Sequence, residues 1–304
     1  MHAPSDPRAG PELTTWLLFA ACALLASGNY VAVRFSNLEL PPMWGAGVRF
    51  AMAAGVFALA SLVLRLRAPR GADLRLALLF GALNFGLFFA FGYWSLVHVT
   101  AGTATIVTAA TPLLTLLLAS AQGQERLGAR PLFGALLALA GVAWLTATSA
   151  ELAVTPLALL TLLLGALSLA QSIVLAKRLA GYHPAVVNAI AMSVGAALLL
   201  GLSSAVGERW SWPALPEARW ALLYLVSFGS VGLFALTLLL IRRWKPSATA
   251  YLMVAVPFVT LGLEALLAGT PIRVAALVGA LLVIAGVWFG ALAPRRRLAG
   301  AAAH

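Results

Sequence analysis

Charge is scarce in this chain of 304 residues: 10% of positions are Asp, Glu, Lys or Arg, and Asp and Glu together number nine. Cysteine occurs once, as Cys22 inside an apolar run, so no intrachain disulfide can form. The histidines, His2, His98, His183 and His304, stand singly with no second ligand at metal-binding spacing, and no metal site is expected. There is no GxxxxGK[ST] loop, which excludes direct drive by ATP. No Ser/His/Asp, HExxH or paired intramembrane Asp set is available for an intramembrane hydrolase. The expectation is a protein that is not an enzyme and needs no cofactor.

What is abundant is apolar surface. Hydrophobic residues make up 62% of the chain and the mean hydropathy is +0.98, far outside the range of soluble proteins. Ten apolar runs, each long enough to cross about 30 Å of hydrocarbon at about 1.5 Å per residue, lie near 14–35, 43–64, 74–97, 101–120, 131–148, 156–178, 184–205, 219–242, 247–268 and 273–292. We number them spans 1 to 10. The predicted fold class is an all-α membrane protein, with a short N-terminal tail over 1–13 and a basic C-terminal tail over 293–304.

A net charge of +11 would suggest nucleic acid in a soluble chain, but the placement of the cations argues otherwise. Fifteen of the 20 Lys and Arg residues fall on one side of the predicted topology, including Arg65, Arg67, Arg70, Arg75, Arg242, Arg243 and Arg295 to Arg297. Only Arg34, Arg209, Arg219 and Arg273 fall on the other. The positive-inside rule then puts both termini in the cytoplasm of a bacterial inner membrane, and nucleic acid drops out as a partner.

Residues 134–142 read GALLALAGV and residues 279–287 read GALLVIAGV, an offset of 145 at which Ala110, Pro112 and Thr115 also meet Ala255, Pro257 and Thr260. The offset pairs span 4 with span 9 and span 5 with span 10, so each repeat holds five helices. Five is odd, and two such units in tandem must lie upside down relative to one another. That is the inverted-repeat plan of secondary transporters, in which solute binds near mid-membrane between the halves. The repeats are expected over 14–148 and 156–292, joined by a periplasmic linker at 149–155.

SGNYVAVRF in span 1, PPMWGAGVRFAMA in span 2, AGTATIVTAATPLLTLLLA in span 4 and QERLGARPLFGALLALAGV with its echo GTPIRVAALVGALLVIAGV fit one pattern. Together they make the chain resemble the EamA-type transporters of the drug/metabolite transporter superfamily. Within that family, the aromatic span 3 looks most like bacterial exporters of aromatic amino acids. The resemblance implies a secondary transporter of small amphipathic metabolites, aromatic and other neutral amino acids among them, working by alternating access. Other cargo, such as drugs or unrelated metabolites, and a channel are the alternatives. Its expected partners are a small-molecule solute and membrane lipid, with a monomer as the working unit. The family often has a Glu before the last helix of each half; Glu125 supplies it in the first, while Thr270 stands in its place in the second.

The residues that could meet solute are polar or aromatic ones inside spans. Asn29, Asn84 and Gln171 carry amides that must point inward or find a partner. Thr105 and Thr108 lie on one face of span 4, and Ser230 on a hydroxyl face of span 8; such stripes either line a cavity or join helices. Phe85 and Phe88 belong to NFGLFFAFGYW in span 3, where rings offer flat apolar surface, and Tyr251 in span 9 adds a phenol. Pro112 and Pro257 occupy equivalent mid-span positions, and each frees the carbonyl four residues earlier, as a hinge or a static kink. Arg49 and Glu264 lie at similar depth from the outer side, where an ion pair could act as gate, proton-coupling site or strut.

Overall fold

The computed structural model describes residues 13–108, 110–123, 155–179, 181–233, 251–269 and 274–289, with isolated positions at 129–144 and 236. Every regular element among them is helical: α1 (Leu13–Ser36), α2 (Pro42–Val63), α3 (Ala72–Ser95), α4 (Ala101–Thr108), α5 (Thr111–Ala121), α6 (Pro156–Ala176), α7 (Pro184–Ala205), α8 (Pro216–Val226, continued to Gly232 by a π turn), α9 (Tyr251–Ala268) and α10 (Val274–Val287). Five of these, α1, α2, α3, α6 and α7, are long and apolar enough to cross a membrane. Most of span 5, the end of span 8, the linker and both tails lie outside the described residues.

The helices begin where proline allows. Pro42, Pro184 and Pro216 sit in the first turns of α2, α7 and α8, where the missing N–H has no intrahelical acceptor to lose. Gly123 and Gly269 follow α5 and α9 at φ +71° and +63°, the left-handed conformation that ends a helix cheaply only without a Cβ.

Span 4 differs from the single helix expected of it. It is two helices, α4 and α5, with Ala110 in a turn between them. Pro112 therefore stands in the first turn of α5 and not in a helix interior. The carbonyl it frees, that of Thr108, accepts the Thr111 hydroxyl at 2.6 Å, so a neighbouring side chain replaces the lost N–H. Across Pro257, by contrast, α9 runs unbroken.

Contacts between the two halves follow a rule. The most extensive pair is α2 with α7, the equivalent second helices, packed so closely that a Cβ on Gly47 would meet the Leu200 side chain at 2.7 Å. Without water to expel, close backbone approach and dispersion hold such helices together. Three other cross-half pairs recur with the halves exchanged. α1 lies on α9 as α6 lies on α4 and α5; α3 lies on α7 as α8 lies on α2; α3 lies on α6 as α8 lies on α1.

Candidate functional site

Helices α3 and α8 each change from α to π winding, over Ala82–Leu87 and over Ser227–Gly232, segments 145 residues apart. A π turn displaces the i→i−4 ladder by one residue and leaves a carbonyl in search of a donor. In both segments a side chain from the other half donates to a backbone carbonyl, although the one on α3, that of Leu83, also accepts the Phe88 N–H. Ser168 on α6 donates to the Leu83 carbonyl at 3.0 Å. On α8 the Gly229 carbonyl receives two donors, Arg49 Nη2 from α2 and Asn29 Nδ2 from α1, each at 3.0 Å. A Cβ at Gly229 would run into Asn29 Oδ1, so glycine is what lets the amide reach this backbone.

Arg49 is the centre of this cluster and is 1% exposed. Besides the Gly229 carbonyl it donates from Nε to the Ser230 hydroxyl at 2.9 Å and from Nη1 to the Tyr93 hydroxyl at 3.3 Å. Its guanidinium carbon stands 5.0 Å from the Phe50 ring centroid and 5.4 Å from that of Phe89. Among the described residues, then, the buried cation is held by two hydroxyls, one carbonyl and two ring faces. Asn29 Oδ1 is buried beside it with no hydrogen-bond partner among the described residues.

The symmetry-equivalent site in the other half is built differently. Ser172 on α6 donates to Asn84 Oδ1 at 3.0 Å, the counterpart of the Asn29–Gly229 contact. The position matching Arg49, counted from the paired prolines Pro42 and Pro184, is Ala191. It lies against α3 so closely that a Cβ on Gly81 would meet the Ala191 Cα and O at 2.6 Å. One seam, α3 with α7, is thus backbone against backbone, and the other, α2 with α8, is spaced by an arginine.

The remaining expected solute residues are distributed as follows. Phe85 is fully buried between α2 and α7, edge-on to Phe50 at 5.2 Å, while Phe88 is edge-on to Phe89 at 4.8 Å. Thr105 and Thr108 return their hydroxyls to the carbonyls of Gly102 and Ala104, and Thr108 also meets the Tyr30 hydroxyl at 2.9 Å. Gln171 accepts from the Gln122 amide at 2.8 Å, joining α6 to the end of α5. The structure thus brings Asn29, Arg49 and Ser230 together and leaves Asn84 and Gln171 in separate places. The side chains of Pro112, Tyr251, Pro257 and Glu264 lie outside the described residues. An apolar groove of ≈ 510 Å³ opens between α1, α8 and α9, walled by Leu24, Gly28, Trp220, Tyr224 and Leu263. None of the expected solute residues with a described side chain lines it.

Several contacts escaped the sequence reading. At the end expected to face the periplasm, Glu208 accepts from the Met43 and Trp44 N–H groups at 3.1 and 2.8 Å, capping α2 from the connection after α7. Reciprocally, Glu39 before α2 accepts from the Leu215 N–H at 2.6 Å, at the start of α8. Trp44 stacks on Trp210 with centroids 4.6 Å apart. The signal was two acids placed in connecting segments of a chain with very few. At the opposite end the Tyr182 hydroxyl donates to Asp73 at 2.7 Å, and this hydrogen bond to the carboxylate holds the phenol's pKa above its ordinary 10.0.

The EamA-like transporter family matches residues 13–147 and again residues 156–291. An uncharacterized inner membrane transporter, YedA of Escherichia coli (strain K12), is 31% identical over 245 residues, covering 77% of this chain and 76% of its own. A probable terminal-alkyne amino-acid exporter of Streptantibioticus cattleyicolor is 29% identical over 277 residues, covering 90% and 89%. A solved crystal structure superposes with a TM-score of 0.65 at 21% identity, over 92% of this chain and 96% of that one.

Proposed function

Since the chain belongs to the EamA-like transporter family, and is a membrane transporter and not an enzyme, we propose that it exports small amphipathic metabolites, aromatic and other neutral amino acids first among them. It does so across a bacterial inner membrane by alternating access, as ten helices in two inverted five-helix repeats with both termini in the cytoplasm, and as a monomer without ATP.

The observation that carries this reading is the exchange of partners between halves. Pairs α1–α9 and α6–α4, α3–α7 and α8–α2, and α3–α6 and α8–α1 are what a two-fold axis between inverted repeats produces. Such an arrangement has two equal-and-opposite ways of tilting one half on the other, and each opens one end. The outer end is crossed by two layers joining the halves, the Arg49–Gly229–Ser230 cluster and the Glu39, Glu208 and Trp44–Trp210 contacts. Both must part for solute to leave outward. The amino-acid cargo is supported by the relative named an amino-acid exporter and by the rings of α3 around Arg49.

In this reading Asn29, Ser230 and the rings of Phe85 and Phe88 border the path, with Asn84, Thr105, Thr108, Gln171 and Tyr251 deeper along it. Pro112 and Pro257 serve as hinges, and Arg49 and Glu264 as the gate. The deciding experiment is uptake of labelled Phe, Trp and Thr into proteoliposomes holding the purified chain. Saturable uptake of at least one is expected, and inactivity toward every amino acid sinks the amino-acid reading. Glu264→Gln in the same assay tests the gate: undiminished transport at every pH removes Glu264 from the mechanism.

A further inference from the structure

A guanidinium stays charged at any physiological pH. Removing one from water without an anion beside it is costly, more so at membrane depth. Arg49 is nonetheless 1% exposed, and its described partners are all neutral. Those partners take one N–H from each of its three nitrogens, and five N–H groups are available. One N–H on Nη1 and one on Nη2 remain outside hydrogen bonds among the described residues, and charged donors of this kind are what a carboxylate engages. The Tyr93 hydroxyl, which accepts from Nη1, still has its own proton to give.

The neighbouring group has the opposite need. Asn29 shares the Gly229 carbonyl with Arg49, and its Oδ1 is buried without a donor among the described residues. Two donors in search of an anion therefore lie on the same carbonyl as an acceptor in search of a cation. The faces of Phe50 and Phe89, at 5.0 and 5.4 Å from the guanidinium carbon, supply flat apolar surface next to both. Among the described residues the set occurs once, because its equivalent in the other half has Ala191 pressed on Gly81.

We infer that Arg49 and Asn29 form the receptor for an α-amino acid zwitterion, with the solute carboxylate on Arg49 and its ammonium on Asn29 Oδ1. In the closed arrangement seen here the Ser230 hydroxyl and the Gly229 carbonyl hold the cation, and movement of α8 away from α2 gives it up to the solute. The inference rests on the export reading above for its cargo, and it goes further by making the carboxylate obligatory. Arg49 becomes a binding residue and not a strut.

The test uses the full chain in proteoliposomes, with labelled phenylalanine competed by phenylalaninamide, phenylethylamine and phenylpropionate. Thermal stabilisation of the detergent-solubilised chain by phenylpropionate against phenylpropionamide is measured beside it. Phenylalanine should compete at least tenfold better than its amide or phenylethylamine, and phenylpropionate but not its amide should stabilise the chain. Arg49→Gln should abolish both preferences while Arg49→Lys keeps part of them; size exclusion and melting of each variant report folding. Should Arg49→Gln fail to fold, Asn29→Leu is read instead, and it should narrow the gap between phenylalanine and phenylpropionate. Equal competition by acid and amide, or an unchanged preference in Arg49→Gln, overturns the inference and leaves export standing. Carboxylate-dependent stabilisation lost in Arg49→Gln, with no amino acid transported, upholds the anion receptor and sinks the amino-acid reading. Neither effect in the parent chain removes both.

Discussion

Arg49 and Asn29, from two helices of the first half, donate to one carbonyl of the second, that of Gly229, each at 3.0 Å. The carbonyl is available because α8 is π-wound there, and the donors reach it because residue 229 has no side chain. A single backbone atom thereby joins three helices at the depth of the only buried arginine among the described residues.

Ser230→Ala leaves the Nε–H of Arg49 without its acceptor at a position where both residues are buried. A loss of about 1–3 kcal/mol is expected for a buried donor made orphan, more than for a neutral surface pair. The measurement is chemical or thermal denaturation in detergent. A variant as stable as the parent would mean that the Arg49–Ser230 contact is dispensable.

Gly81→Val tests the opposite seam. The nearest atoms to an added Cβ are the Ala191 Cα and O, backbone of α7 that cannot swing aside. Overpacking costs about 1–3 kcal/mol where neighbours can adjust, and here they cannot adjust locally. The expected outcome is a sharp fall in monodisperse protein on size exclusion, with Gly81→Ala milder.

At the end proposed to face the periplasm, Glu208→Gln removes a negative charge from the first N–H groups of α2 while keeping one acceptor. The expected cost is about 0.3–1 kcal/mol from the helix dipole. Trp210→Ala removes a stacked pair contributing about 0.5–1.5 kcal/mol beyond burial. The pair of changes together should raise the rate at which a cysteine placed at Val231 reacts with a membrane-impermeant thiol reagent added outside. Unaltered labelling would deny these contacts a role in closing that end.

Tyr182 reports on the other end. Its phenol donates to the Asp73 carboxylate, and its folded pKa lies above the ordinary 10.0. A pKa raised by folding means a contribution present at all pH values below the unfolded pKa and lost as pH rises through the folded one. The contact should therefore be intact at neutral pH and part only in alkali above pH 10. Asp73→Asn should bring the Tyr182 titration back toward the ordinary value, as read by NMR of ring-labelled tyrosine. A titration at or below the ordinary value in the parent chain would show that the bond is not formed.

Much of the architecture could be read before any coordinates. Apolar run length located α1, α2, α3, α6 and α7 to within a few residues, because it is local: a run must span hydrocarbon. The broken span 4 was less legible, since Pro112 marks a perturbation without saying whether the helix bends or stops. The site was legible by residue type and not by grouping. Asn29, Arg49 and Ser230 stood out as polar residues in apolar runs, yet Tyr93 looked like one ring among many, and Glu39 and Glu208 like ordinary loop acids.

By itself, the sequence determined a membrane protein of duplicated helical units, because composition, run length and a 145-residue offset depend only on order along the chain. The tertiary structure decided which polar groups meet. Arg49, Asn29 and Gly229 are up to 200 residues apart, and a one-residue change in helical winding frees the carbonyl that gathers them. Winding of that kind has no local sequence signature, and its effect depends on the helix that happens to pack opposite.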